Sequence, residues 1–85
     1  MKIIVTHEVD DVAHWLASPK REEVFADVAT NITTFVHPKD PHRVALSMEV
    51  ADMDAFSVFM KSEAVAAAMK YDGVRPGTVD VYLKG

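Results

Sequence analysis

The sequence predicts an α+β domain in which one antiparallel sheet of four strands carries its helices on a single face. Three observations lead there. The apolar period switches between about two and about 3.6 residues in the order strand, helix, strand, strand, helix, strand. The two middle strands are separated by a turn with two prolines and an aspartate, His37-Pro38-Lys39-Asp40-Pro41-His42. The chain is 85 residues long and has no cysteine, which bounds it to one domain, residues 1–85, stabilised by its apolar core or by burial against a partner.

Lys2 to Val9 is rich in β-branched residues and reads as the first strand. Asp10-Asp11 closes it, and a short carboxylate there can cap the free N–H groups of a following helix. In that helix Val12, Trp15 and Leu16 share one face. Ser18-Pro19 interrupts it, and Pro19 opens a second segment, expected over Lys20 to Ala29, with Val24, Phe25 and Val28 at helical spacing.

From Thr30 the period becomes two, with Ile32, Thr34 and Val36 on one side and Thr33, Phe35 and His37 on the other. Beyond the turn, Val44, Leu46, Met48 and Val50 alternate with Ala45, Ser47 and Glu49. Asp52 is the expected cap of the next helical region, which carries Met53, Phe56, Phe59 and Met60. Ser62 caps its alanine-rich continuation, and Gly73, free to take positive φ, ends it. Pro76-Gly77 turns the chain into a last strand, expected over Thr78 to Lys84.

This order is the ferredoxin-like βαββαβ arrangement. Strand parity puts Ile3, Val5, Val44, Leu46, Val81 and Leu83 among an apolar face under the helices. The opposite face, with Ile4, Thr6, Phe35, Ser47, Glu49 and Tyr82, is mixed in character. It suits either water or the same face of a second copy, and pairing is favoured because so small a domain gains from oligomer burial.

Composition removes several function classes. The net charge is −4, and the basic residues form no stripe, which argues against nucleic acid as a partner. No stretch reaches the ~18 apolar residues of a membrane span, so no membrane partner is expected. The lack of cysteine fits a reducing cytoplasm, the expected location. The three glycines make no phosphate-cradling loop, and no serine sits in a nucleophile elbow.

His7 carries the chemistry that remains. Alternation directs it to the helix side with Ile3 and Val5, where an imaginable role as acid, base or ligand competes with that of a satisfied core histidine. His14 and Trp15 lie close enough along the first helix to share a pocket with it, although core packing also accounts for Trp15. Phe35, Glu49 and Tyr82 are the substrate-contact candidates of the other face, where ion pairing at a dimer rim is the competing role for Glu49. His37, His42 and Asp40 offer at most three ligands in a loop, short of the four of a structural zinc site, so no metal is expected.

The element order, the length, the broken first helix and the stretch Phe59-Met60-Lys61-Ser62-Glu63-Ala64-Val65-Ala66-Ala67-Ala68-Met69-Lys70-Tyr71-Asp72-Gly73-Val74 resemble small proteins of the dimeric α+β barrel superfamily, which includes antibiotic biosynthesis monooxygenases. The resemblance implies face-to-face dimers and any chemistry in the cavity between sheet and helices or in the adjoining barrel interior. Other members are lactone isomerases, stress proteins and haem-degrading enzymes. The haem-degrading pattern combines an asparagine, a tryptophan and a ligand histidine; this chain has Asn31, Trp15 and several histidines, whose carry-over onto that pattern stays open, and no cofactor is expected.

The resulting expectation is a small-molecule-binding protein or cofactor-independent enzyme, monooxygenase- or isomerase-like, acting on a hydrophobic or aromatic compound with His7 as base. The alternative is a non-catalytic structural or interaction module that forms a homodimer.

Overall fold

A computed structural model describes all 85 residues. Strand β1 (Lys2–Glu8) leads into helix α1 (Val12–Ala17), α2 (Lys20–Phe25), strands β2 (Ala29–Val36) and β3 (Arg43–Val50), helices α3 (Met53–Phe59) and α4 (Glu63–Asp72), and strand β4 (Asp80–Leu83). The strands form one sheet in the order β2-β3-β1-β4, every neighbouring pair antiparallel. This is the ferredoxin-like α+β arrangement expected from the sequence, with each of the two helical regions split in two.

Local chemistry sets the breaks. Asp11 caps α1 by accepting from the backbone N–H of His14 at 3.2 Å. Ser18 then leaves helical geometry, and α2 begins at Lys20 directly after Pro19. Asp52 and Ser62 cap α3 and α4 through their side-chain oxygens. Gly73, at φ 73°, ends α4 in the left-handed conformation that a side chain would strain.

Two boundaries differ from the sequence reading by more than a single residue. The second helical segment ends at Phe25, not Ala29; Ala29 instead opens β2, buried and paired with Val50. The last strand is only Asp80–Leu83, because Thr78 is used otherwise: its hydroxyl donates to the Arg75 carbonyl and accepts from the Glu8 N–H. Val81 and Leu83 face the helix side through their pairing with Val5 and Ile3, yet both are exposed. They were expected in the core; β4 is an edge strand, and no helix reaches over it.

The core lies between the sheet and the helices, with Ile3, Val5, Leu46 and Met48 from below meeting Trp15, Phe25, Phe56 and Val65 from above. One irregularity shapes the sheet. Between Thr30, opposite Glu49, and Thr33, opposite Ser47, β2 holds one more residue than β3, and Asn31 there has φ 54°. This is a β-bulge, which the period-two pattern from Thr30 onward did not reveal.

Candidate functional site

The site is built on the strand that begins the chain. Alternation from Ile3 and Val5 turns His7 toward the helices, and its residue is only 6% exposed. Trp15, one face of α1, packs on it with ring centroids 5.6 Å apart and the planes at 78°, an edge-to-face contact. Arg21, from the first turn of α2, lies with its guanidinium 4.5 Å from the Trp15 ring centroid. Its Nη1 donates to the Trp15 carbonyl at 2.9 Å, satisfying a helix-end acceptor. Asp72, the last residue of α4, completes the group and is 5% exposed.

Two polar atoms in this group have no hydrogen-bond partner although fully buried: His7 Nδ1 and Asp72 Oδ1. Burial pushes the His7 pKa below its ordinary 6.5; the Arg21 cation pushes the same way, and the Asp72 carboxylate pulls back. The imidazole is therefore neutral at pH 7, with one ring nitrogen able to accept a proton. Burial also lowers the Arg21 pKa, against the pull of Asp72 and Glu22. No Arg21 nitrogen comes within 4.0 Å of a carboxylate, so the two charges influence one another without forming a direct pair.

His7, Trp15, Arg21 and Asp72 all line one cavity, whose other walls are apolar: Phe25, Phe56, Met60 and Met69 among them. Its volume is about 40 Å³. That is room for a few waters, and it is well below the roughly 300 Å³ at which ordinary ligand pockets begin. A larger guest requires wall movement, and the unbranched Met60 and Met69 are the side chains best suited to give it.

The remaining expected residues lie elsewhere. His14 is exposed on the outer flank of α1, where its Nε2 donates to the Tyr71 carbonyl at 2.8 Å and its ring leans on the Tyr71 ring. Phe35, Glu49 and Tyr82 are on the far face of the sheet. Glu49 lies 3.9 Å from the chain's N-terminal ammonium. Phe35 and Tyr82 rim a shallow concavity of about 340 Å³ floored by Thr6 and Ala45. The structure thus brings His7 and Trp15 together and separates both from the other four.

Arg21 and Asp72 were not singled out from sequence. Their signal was helical spacing: Arg21 stands four residues before Phe25, and Asp72 four after Ala68, on the buried stripes of their helices. Charge concealed it, since charged residues on a helix are usually solvated.

The histidines of the hairpin serve the backbone. His37 Nδ1 accepts the N–H groups of Lys39 and Asp40. His42 Nδ1 donates to the Val9 carbonyl at 3.1 Å, so the Arg75 Nη2 found 3.4 Å from it makes a close approach and no bond, both groups being donors. Arg75 is held instead by Asp10 at 2.9 Å and Glu8 at 3.3 Å, which raise its pKa further.

Fold and site together define a ferredoxin-like α+β domain with a small polar-cornered cavity between sheet and helices. Its fold is shared by solved structures of proteins described as antibiotic biosynthesis monooxygenases. A solved structure of a candidate antibiotic biosynthesis monooxygenase from Bordetella bronchiseptica matches 99% of this chain and 95% of its own with a TM-score of 0.70 at 18% identity. Another from Nitrosomonas europaea covers 99% and 98% with a TM-score of 0.64 at 14% identity. A conserved protein from Methanosarcina mazei Go1 covers 100% and 94% at 0.59 and 10% identity. At these identities the likeness shows a common fold. No family model and no curated protein matches the sequence. No helix is long and apolar enough to cross a membrane.

Proposed function

We propose that the chain binds a small hydrophobic or aromatic compound carrying a hydroxyl group in the cavity beneath Trp15, with His7 as general base. One observation carries this reading: two buried polar atoms without partners, His7 Nδ1 and Asp72 Oδ1, line the same otherwise apolar cavity. Leaving such groups unsatisfied costs about 1 to 3 kcal/mol each, a cost that a ligand's donor or a bound water removes. The neutral imidazole accepts the hydroxyl proton, the Asp72 carboxylate favours the imidazolium that results, and Arg21 offers a positive charge to the anion left behind. This fits a cofactor-independent reaction of the monooxygenase or isomerase kind.

The test compares 4-chlorophenol with chlorobenzene, two guests of nearly one shape, followed through the Trp15 indole resonance. Chlorophenol is expected to bind at least about tenfold more tightly, and His7→Phe is expected to erase that preference. Equal binding of the two, or none of either, overturns the proposal.

A second reading has its own support. The cavity is small as it stands, while Ile4, Phe35 and Tyr82 are exposed on the far face of the sheet. A homodimer closed over that face, with no chemistry inside, accounts for both features. Phe35→Glu then converts a dimer to a monomer in sedimentation, whereas His7→Phe leaves the assembly unchanged; a wild-type monomer at millimolar concentration removes this reading.

A further inference from the structure

The buried cavity has a neighbour. On the other side of one thin wall, a groove of about 590 Å³ runs beneath the loop that joins α4 to β4, lined by Asp10, Lys70, Arg75, Pro76 and Val79 among others. Two residues, Met69 and Val74, line both spaces. Either space alone is unsuited to a ring-sized guest of the kind proposed above: the inner one is too small, and the outer one is open and lacks the unpartnered polar atoms. Joined, they have a volume within the range of ordinary small-molecule pockets and a polar end at His7 and Asp72.

The two shared residues are not equally free to move. Val74 is fixed by its backbone: its N–H donates to the Met69 carbonyl at 3.0 Å, and it forms an isolated bridge with Val9. Its neighbours on both sides are held as well, Gly73 by the Asp10 N–H on its carbonyl and Arg75 by the Glu8 carbonyl on its N–H. Met69 is a half-buried, unbranched side chain on a helix face, and only rotation about its side-chain bonds is needed to move it.

We propose that groove and cavity are two halves of one binding site and that the Met69 side chain is the movable wall between them. The ligand class follows from the shape: an elongated apolar molecule enters hydroxyl first, reaches His7 and Asp72 with that end, and leaves its body along Val79 and Pro76. This extends the reading of the cavity as a ligand site, but the route itself does not depend on any ligand being bound.

The chain has a single tryptophan, and it lines the inner cavity, so collisional quenching of Trp15 fluorescence by acrylamide reads access directly. Met69→Ala is expected to raise the quenching constant about tenfold by removing the need for an opening motion. Met48→Val is the control, because Met48 lines the cavity and not the groove and is itself only 2% exposed; it enlarges the interior without opening a wall and is expected to change quenching less than about twofold. Met69→Leu keeps the volume and stiffens the wall, so it lowers access if Met69→Ala proves too unstable to study. Equal quenching in the Met69→Ala and Met48→Val variants, or a Met69→Leu protein quenched like wild type, overturns the route. A strong Met69 effect with no discrimination between 4-chlorophenol and chlorobenzene keeps the route and removes only the ligand reading.

Discussion

The two faces of the sheet are made by the same strands and differ in what covers them. On β1, His7 points inward and Thr6 outward; on β3, Leu46 points inward and Ala45 outward. Inside, Trp15, Arg21 and Asp72 close over His7, and two polar atoms are left without partners. Outside, Phe35 and Tyr82 are 51% and 57% exposed, and polar groups there have water available. An unpartnered atom is costly only where water cannot reach it, so the inner face stores an interaction that the outer one cannot.

That contrast can be broken most severely at Trp15, which is 1% exposed and joins His7 to Arg21. Trp15→Ala is expected to cost about 3 to 5 kcal/mol in urea unfolding, a large share of the stability of so small a domain. A loss below 1 kcal/mol means that the inner face is not the core described.

Asp72→Leu ranks next. It removes the carboxylate that most favours the buried Arg21 cation and is expected to cost about 3 kcal/mol, while the double change Arg21→Met with Asp72→Leu recovers much of the loss. Additive costs in that cycle show that the two charges are uncoupled.

A pH series gives a smaller effect. Below 6.5 the unfolded chain takes up a proton at His7 that the folded chain refuses until its own, lowered pKa is reached. Stability from this group is therefore whole above 6.5 and falls as pH drops toward that lower value, with a limiting slope of about 1.4 kcal/mol per pH unit. His7→Phe should flatten the curve between pH 7 and 5; an unchanged slope shows that some other group sets it.

On the outer face the expected cost is least. Phe35→Ala should change the unfolding free energy of a monomer by less than about 0.5 kcal/mol. A loss that grows with protein concentration reveals instead that the face is covered by a second copy.

The fold was legible where one physical signal dominated. Alternation located β1 and β3, carboxylate and hydroxyl caps marked α1, α3 and α4, and Ser18-Pro19 marked the break in the first helical region. It was less legible where tertiary bonding overrode local pattern. Thr78 alternates as a strand residue does but spends its hydroxyl on the Arg75 turn, and Val81 and Leu83 carry core residues' side chains on an uncovered edge. Within the site, the inward turn of His7 and its company with Trp15 followed from periodicity alone. Arg21 and Asp72 did not, because their burial depends on how two helices converge over the sheet, which spacing within either helix cannot report.

The extra residue in β2 has a reach out of proportion to its size. Ahead of it Ala29 points inward; beyond it the inward positions are Ile32, Thr34 and Val36. Asn31, in its left-handed turn, thus acts as a phase shift in the strand: Asn31 and Ile32 of β2 together stand opposite the single Met48 of β3, and every side chain beyond them takes the side of the sheet that this extra residue sets. If Asn31 took ordinary extended geometry, strict alternation from Ala29 would send Phe35 into the core and Val36 into water, exchanging the two surfaces of an edge, whereas deleting the residue would only straighten the strand and leave both surfaces as they are.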